Sequence, residues 1–306
     1  MHNAIVLQNV HKTYHQLEAL KGISIDIPQG SFFGLLGPNG AGKSTLINII
    51  AGLVRANQGQ ITILGYDVIK DWRQARFALG VVPQELVYDA FFSVREMLKL
   101  QSGYFGLGKE NNAWIDELLE TLSLTNKANE SFLRLSGGMK RRLLIALALV
   151  HKPKVVVLDE PTAGVDVELR QVLWQFAKKL HQAGHTILLT THYLEEAEML
   201  CEKIAILNHG ELIALDKTKN LLARHPYRWL YLDLKENCPA FPQILEEKIV
   251  SYKSQQLVLR LHREKDSIVE VLDILRRAQI DIVDLHTNEP SLEEVFIHLI
   301  KQETIA

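Results

Sequence analysis

The run Gly37-Pro38-Asn39-Gly40-Ala41-Gly42-Lys43-Ser44-Thr45 constrains this chain more than any other stretch. It follows a continuous apolar segment, Phe32 to Leu36, and precedes a helical pattern, Leu46 to Leu53. A strand, a glycine-rich turn and a helix in that order form a phosphate cradle. Glycines let successive backbone N–H groups point inward without Cβ clashes, and the helix N-terminus adds positive potential. In the full pattern G-x-x-x-x-G-K-[ST], Lys43 reaches the β- and γ-phosphates and the Ser44 hydroxyl ligates Mg²⁺. A chance glycine turn before a helix would predict neither the lysine nor the hydroxyl.

The rest of the chain supplies a matching framework. Ile5, Leu7 and Val10 read as a strand, with Tyr14 in the turn after it, and Ile23, Ile25 and Ile27 form a period-two strand closed by Pro28-Gln29-Gly30. Phe32 to Leu36 reads as a strand buried on both faces. Short strands follow at Ile61 to Leu64 and before Pro83-Gln84. From Ser93 to Val150 the period becomes helical, with Ser93 and Glu96 spaced as a capping box. Strand and helix then alternate again: Val155 to Leu158, Val167 to Ala183, Ile187 to Leu189, Tyr193 to Leu200 and Ile204 to Leu207. Beyond about Leu222, strands at Trp229 to Leu234 and Leu257 to Leu261, a helix at Ser267 to Ala278, a strand at Ile280 to Leu285 and a helix at Ser291 to Ile300 predict a small α+β unit of split βαβ character.

Two further constellations accompany the loop. Val155 to Leu158 ends in Asp159-Glu160, placing two acids at a strand tip. Asp159 can hold a Mg²⁺ shell, and Glu160 can orient and deprotonate a water. Alone, such a pair is a common solvated turn; beside a phosphate loop it points to phosphoryl chemistry. Ser136-Gly137-Gly138 opens the third helix of the helical block, with Ser136 as its N-cap, and its free N–H groups make a second anion site. Lys140-Arg141-Arg142 reads as a solvated helix face that could touch a neighbouring phosphate.

With these motifs in order, the chain resembles the nucleotide-binding subunit of an ABC transporter over roughly residues 3–224. Gly37 to Thr45 matches the Walker A loop, Leu158-Asp159-Glu160-Pro161 the end of Walker B, and Leu135 to Met139 the signature motif. Gln84 falls at the Q-loop glutamine, Ala163-Gly164-Val165-Asp166 resembles the D-loop, His192 the switch histidine, and Tyr14 the aromatic that stacks on adenine. Met139 stands where many members carry glutamine, and Ala163 and Val165 where serine and leucine are common. The simpler alternatives are a surface aromatic for Tyr14, a strand cap for Gln84 and a core histidine for His192. His192 with Glu195 and Glu196 also mimics a metal triad, but no third-ligand pattern supports it.

The resemblance implies an α/β fold: a P-loop NTPase core with an N-terminal antiparallel β part and an inserted helical subdomain, plus a small C-terminal α+β domain. The expected boundaries are 1–224 for the ATP-binding domain, with its helical subdomain at about 86–152, and 225–306 for the accessory domain. The implied activity is ATP hydrolysis with Mg²⁺, using Glu160, His192 and Lys43 catalytically and Ser44, Gln84 and Asp159 at the metal. Tyr14, Gly37, Pro38, Asn39, Gly40, Ala41, Gly42, Lys43, Ser44, Thr45 and Gln84 would bind nucleotide, as would Ser136, Gly137, Gly138 and Asp166. The signature segment and the loop cannot easily close on one nucleotide within a cassette, so the resemblance implies a head-to-tail dimer with a second copy or a paralogue. The segment Asn288 to Phe296 resembles the end of exporter ATPases of the drug-resistance and ABC-2 permease class.

Composition sets outer limits. A length of 306 residues suits one large and one small domain, and a net charge of −2 gives no electrostatic case for nucleic acid. Two cysteines without metal spacing fit a reducing compartment. Met1 to Val10 lacks a signal-peptide pattern, and no apolar run approaches the ~18 residues of a membrane span. The expected place is therefore the cytoplasmic face of the membrane, on a transmembrane permease partner. A soluble ABC ATPase acting in translation or on DNA is the alternative. Against it stand a single cassette and the lack of long coiled coils.

Overall fold

The computed structural model describes residues 2–84, 91–238 and 240–305, with side chains described as far as Lys301. The chain divides into two compact units, Met1–Asp216 and Lys217–Ala306. The contact boundary falls eight residues before 224/225, because the short helix Thr218–Ala223 packs with the terminal helix Leu292–Ile305 of the second unit.

The first unit holds two sheets. A four-stranded sheet runs Leu17–Pro28, Asn3–Tyr14, Gln58–Ile63, Tyr66–Asp67, with antiparallel neighbours throughout. Its alternating isoleucines and leucines supply one wall of the core: Ile5, Leu7, Val10, Ile23, Ile25, Ile27, Ile61 and Ile63 are all buried. Tyr14 is the last residue of its strand rather than part of the turn. The six-stranded sheet runs Glu211–Lys217, Lys203–Asn208, Phe32–Leu36, Thr186–Thr190, Val155–Asp159, Leu79–Val82. Its last five strands are parallel. Every residue of Phe32–Leu36 and Thr186–Thr190 is buried, as continuous apolar runs in a parallel sheet require.

Three helices form the inserted block: Val94–Tyr104, Asn112–Thr121 and Gly137–Leu149. The predicted start of this block, near residue 86, lies outside the described residues. Ser93 and Glu96 make the full capping box, with the Ser93 backbone N–H donating to Glu96 at 2.8 Å. Buried Asn111 donates to Val150 O at 2.9 Å and Trp114 Nε1 to Leu149 O at 3.0 Å, so the second helix is pinned to the end of the third. The sequence patterning did not mark the helix Trp72–Ala78, which buries only Ala75 and Ala78 and exposes Trp72 and Phe77.

The second unit is a four-stranded antiparallel sheet ordered Ile249–Lys253, Gln256–His262, Tyr227–Leu234, Ile282–Asn288. Its strands and helices follow the chain order βαββαβ, which is the split βαβ arrangement expected from the alternation. Leu230, Leu232, Leu234, Leu257, Leu259 and Leu261 bury one sheet face against Val271 and Leu275 of the helix Ile268–Arg277.

Candidate functional site

The parallel register brings the catalytic candidates to one level. Leu35 pairs with Thr190, and Asp159 pairs with Thr190 from the other side. Three strands thus end together, and the loops that follow carry Lys43, Glu160 and His192. Ligands in open α/β sheets bind beyond these carboxyl ends.

The glycine loop is held by close approach. A Cβ on Gly37 would lie 2.4 Å from Leu207 O. Gly42 has φ +102°, and a Cβ there would lie 2.6 Å from Ala19 O, so glycine is required at both. Gly42 caps the helix Lys43–Ile50 without a side-chain hydrogen bond, which leaves the helix N–H groups to a ligand. Lys43 Nζ donates to Gly37 O at 2.7 Å and to Pro38 O at 3.0 Å. Burial holds its pKa below the usual lysine value, opposed by the charges of Glu160 and Asp159.

Glu160 lines the same cavity as Lys43. Its Oε2 accepts from Gln84 Nε2 at 2.8 Å and lies 3.4 Å from His192 Nδ1. Its backbone is left-handed, with φ +46°, a conformation that costs a non-glycine residue about 1–3 kcal/mol. Thr190 offsets that strain: the Glu160 N–H donates to Thr190 O at 3.0 Å and to its hydroxyl at 3.1 Å. Asp159 Oδ1 accepts from the same hydroxyl at 2.5 Å. Burial raises the Asp159 pKa, with the Thr190 hydrogen bond opposing it.

Tyr14, Asn39 to Thr45, Gln84, Glu160 and His192 together line a cavity of about 550 Å³. Tyr14 is 39% exposed at its rim, with Lys12 Nζ 4.8 Å from its ring centroid. Ser136, Gly137, Gly138 and Asp166 do not line this cavity. Ser136 caps the helix Gly137–Leu149 by accepting from Met139 N at 3.3 Å, and Asp166 caps Val167–Gln182 by accepting from Leu169 N at 2.8 Å. These two helix starts touch: a Cβ on Gly138 would sit 2.5 Å from Leu169 Cδ2.

One expectation changes, and one alternative that the sequence did not support falls away. Arg141 is not on a solvated face; it is 4% exposed and turned inward to the loops of Gln84 and Glu160. Nor do His192, Glu195 and Glu196 form a metal triad. Glu196 is fully buried, accepting from the hydroxyls of Thr162 and Thr191, and no cluster of three or more His, Cys, Asp or Glu among the described residues is arranged to hold a metal. The oxygen donors Ser44, Gln84 and Asp159 suit Mg²⁺, which takes one or two carboxylates plus substrate phosphates. Sequence patterning also missed Arg170, whose guanidinium carbon lies 3.9 Å from the Tyr193 ring centroid, while that ring packs 4.0 Å from the His192 ring. Its place on the amphipathic helix Val167–Gln182 gave no sign of that contact.

Comparison with known proteins places this geometry in context. Residues 20–163 match the family model described as ABC transporter. The chain is 35% identical over 301 residues to the linearmycin resistance ATP-binding protein LnrL of Bacillus subtilis, covering 95% of this chain and 96% of the relative. It is 37% identical over 305 residues to the Nod factor export ATP-binding protein I of a Rhizobium species, covering 98% of each. Among solved structures, a dimeric ATP-binding cassette in a post-hydrolysis state with ADP and Pi matches with a TM-score of 0.65 and 29% identity, covering 70% of this chain and 98% of that one.

Proposed function

Because this chain belongs to the ABC transporter family as one of its ATP-binding proteins, we propose that it works as one half of a two-cassette motor whose closure on ATP drives a membrane permease. It is an ABC-type ATPase that powers a separate permease. No helix among the described residues is long and apolar enough to cross a membrane. Its place is the cytoplasmic face of the membrane, held there by that partner.

The observation that carries the mechanism is the clamp on Glu160. Gln84 and His192 both hold one carboxylate oxygen of Glu160, in the cavity that Lys43 also lines. A carboxylate so held orients a water and takes its proton as the γ-phosphoryl is attacked. Lys43 leaves the loop carbonyls to neutralise the β- and γ-phosphates. Tyr14 stacks on adenine at the rim. Ser44, Asp159 and Gln84 would hold Mg²⁺, which screens the phosphate charge.

Ser136 to Gly138 lie outside the cavity, and they complete the site of a second subunit. Each ATP is then held by Gly37–Thr45 of one copy and by the signature segment of the other, with Asp166 at the same interface. ATP acts as interface glue, and hydrolysis releases it. The permease docks in the groove of about 790 Å³ lined by Trp72, Phe77, Pro83, Tyr104, Phe105 and His151. Tyr104 is 85% exposed there and Phe77 45%, an apolar surface of the kind that marks an interface. Export is the direction supported by the full-length relatives in linearmycin resistance and Nod factor export, and by the tail Asn288 to Phe296. The cargo class is a drug, lipid or polysaccharide-like molecule.

The test is Glu160→Gln. The variant binds ATP, fails to turn it over and accumulates as a closed dimer in size-exclusion chromatography with ATP. Elution only as monomer would sink the two-cassette reading, and near-normal phosphate release would remove Glu160 from its role.

A further inference from the structure

The guanidinium of Arg141 uses every donor it has on backbone carbonyls. Nε donates to Pro161 O at 2.7 Å. Nη1 donates to Pro83 O at 2.7 Å and to Gln84 O at 3.1 Å. Nη2 donates to Asp159 O at 3.0 Å and to Glu160 O at 2.5 Å. Arginine carries five N–H donors in a rigid fork, so the group is saturated. The five acceptors come from two loops, the one that carries Gln84 and the one that carries Asp159 and Glu160. These are the loops whose side chains meet at 2.8 Å between Gln84 Nε2 and Glu160 Oε2.

The position of Arg141 along its helix adds the second half of the observation. It lies five residues after Ser136, in the opening turns of Gly137–Leu149. The next residue, Arg142, points elsewhere and donates to Leu122 O at 3.1 Å. Lys140 lies over the Phe132 ring at 5.1 Å. Arg141 reaches both reactive loops. It also bears on the strained backbone of Glu160. Thr190 holds the N–H of that residue and Arg141 holds its carbonyl, so a left-handed conformation is fixed at both ends.

We propose that Arg141 is a positioning residue through which the signature helix sets the placement of Glu160 and Gln84. It touches neither nucleotide nor metal. It makes the helix that begins at Ser136 and the two catalytic loops move as one body, so that engagement of Ser136 by the ATP of the facing subunit is felt as the alignment of Glu160 in its own site. This rests on the hydrolytic reading of Glu160 given above. Lysine cannot substitute, because an ammonium is a point donor with three N–H groups and cannot span two loops. Displacing a reactive group by about 1 Å costs up to ~100-fold in rate.

The experiment measures Mg-ATP turnover by the full chain for Arg141→Lys, Arg142→Lys, Glu160→Gln and Gln84→Ala, and for the double variant Arg141→Lys/Gln84→Ala. Arg141→Lys should lower kcat by roughly 10- to 100-fold while KM for ATP stays within about three-fold, because the phosphate loop is untouched. Arg142→Lys, the same change one residue on, should leave kcat within about two-fold. Gln84→Ala should cost much less in the Arg141→Lys background than in the wild type, because both act on one alignment. Wild-type kcat in Arg141→Lys overturns the proposal, and so does a fully additive double variant. Should Arg141→Lys not fold, Arg141→Gln carries the same comparisons. A fully active Glu160→Gln removes the hydrolytic reading itself; an inactive Glu160→Gln beside an unaffected Arg141→Lys removes this proposal alone.

Discussion

Acidification should weaken the first unit through His151. Its ring is 3% exposed and stacks on Phe105 with centroids 3.7 Å apart and planes at 7°. Nε2 lies 3.0 Å from Leu79 O, while Nδ1 is buried without a hydrogen-bond partner. Burial pushes the pKa from 6.5 down to about 4, with the Leu79 carbonyl opposing the shift. The unfolded chain therefore binds a proton on this side chain before the folded chain does. The stability tied to the neutral ring is fully present above pH 6.5 and is lost as pH falls toward 4. That depression corresponds to about 3 kcal/mol, or roughly 6–12 °C in the melting temperature of a unit this size. Thermal melts followed by circular dichroism at several pH values between 7.5 and 4, on the wild type and His151→Gln, isolate the effect. Carboxylates such as Asp67, whose pKa is lowered by hydrogen bonds from Lys70, Ile69 and Gln60 that overcome its burial, contribute equally to both proteins. His151→Gln should start lower, having lost the ring stacking, but should decline less on acidification by about 3 kcal/mol. Parallel pH curves would refute the reasoning.

Two further outcomes follow from the site. Lys43→Ala should abolish ATP turnover, measured as phosphate release, because it removes the cation proposed to meet the β- and γ-phosphates; near-normal phosphate release would refute that role. Glu196→Ala should cost about 3–5 kcal/mol in denaturant unfolding, because it strands the buried hydroxyls of Thr162 and Thr191 and the Arg170 guanidinium, whose Nε lies 3.8 Å from the carboxyl; a loss under about 1 kcal/mol would mean that these groups find other partners.

The phosphate loop and the strand-tip acids were legible because each is a local pattern: the residues proposed for the chemistry are neighbours in sequence. The period-two isoleucines and the continuous run Phe32 to Leu36 likewise declared their sheets, since burial on one face or two leaves its mark directly in the spacing. The short strand Ile249–Lys253 escaped because it lies at a sheet edge, where partial exposure blurs alternation. Arg141 could not have been read at all. Its five acceptors lie between 18 and 58 residues away along the chain, and a basic triplet after a helix cap looks the same whether it faces water or two loops. The same holds for Glu196, whose partners Thr162 and Arg170 belong to another helix and loop. What sequence pattern conveys is which groups are present; long-range carbonyl and hydroxyl partners decide how they are held.

The shared level at which Phe32–Leu36, Val155–Asp159 and Thr186–Thr190 end has a practical corollary for protein engineering. One residue inserted in any of these strands would reverse the in–out alternation beyond it and carry one loop of the proposed site out of line with the other two. Added length in the exposed stretch around Gly106 to Glu110 meets no such gearing. Tolerance to insertions should therefore be sharply graded along the chain, and a fluorescent reporter or an affinity handle belongs in that stretch of the helical block, where it leaves the alignment of the three loops intact.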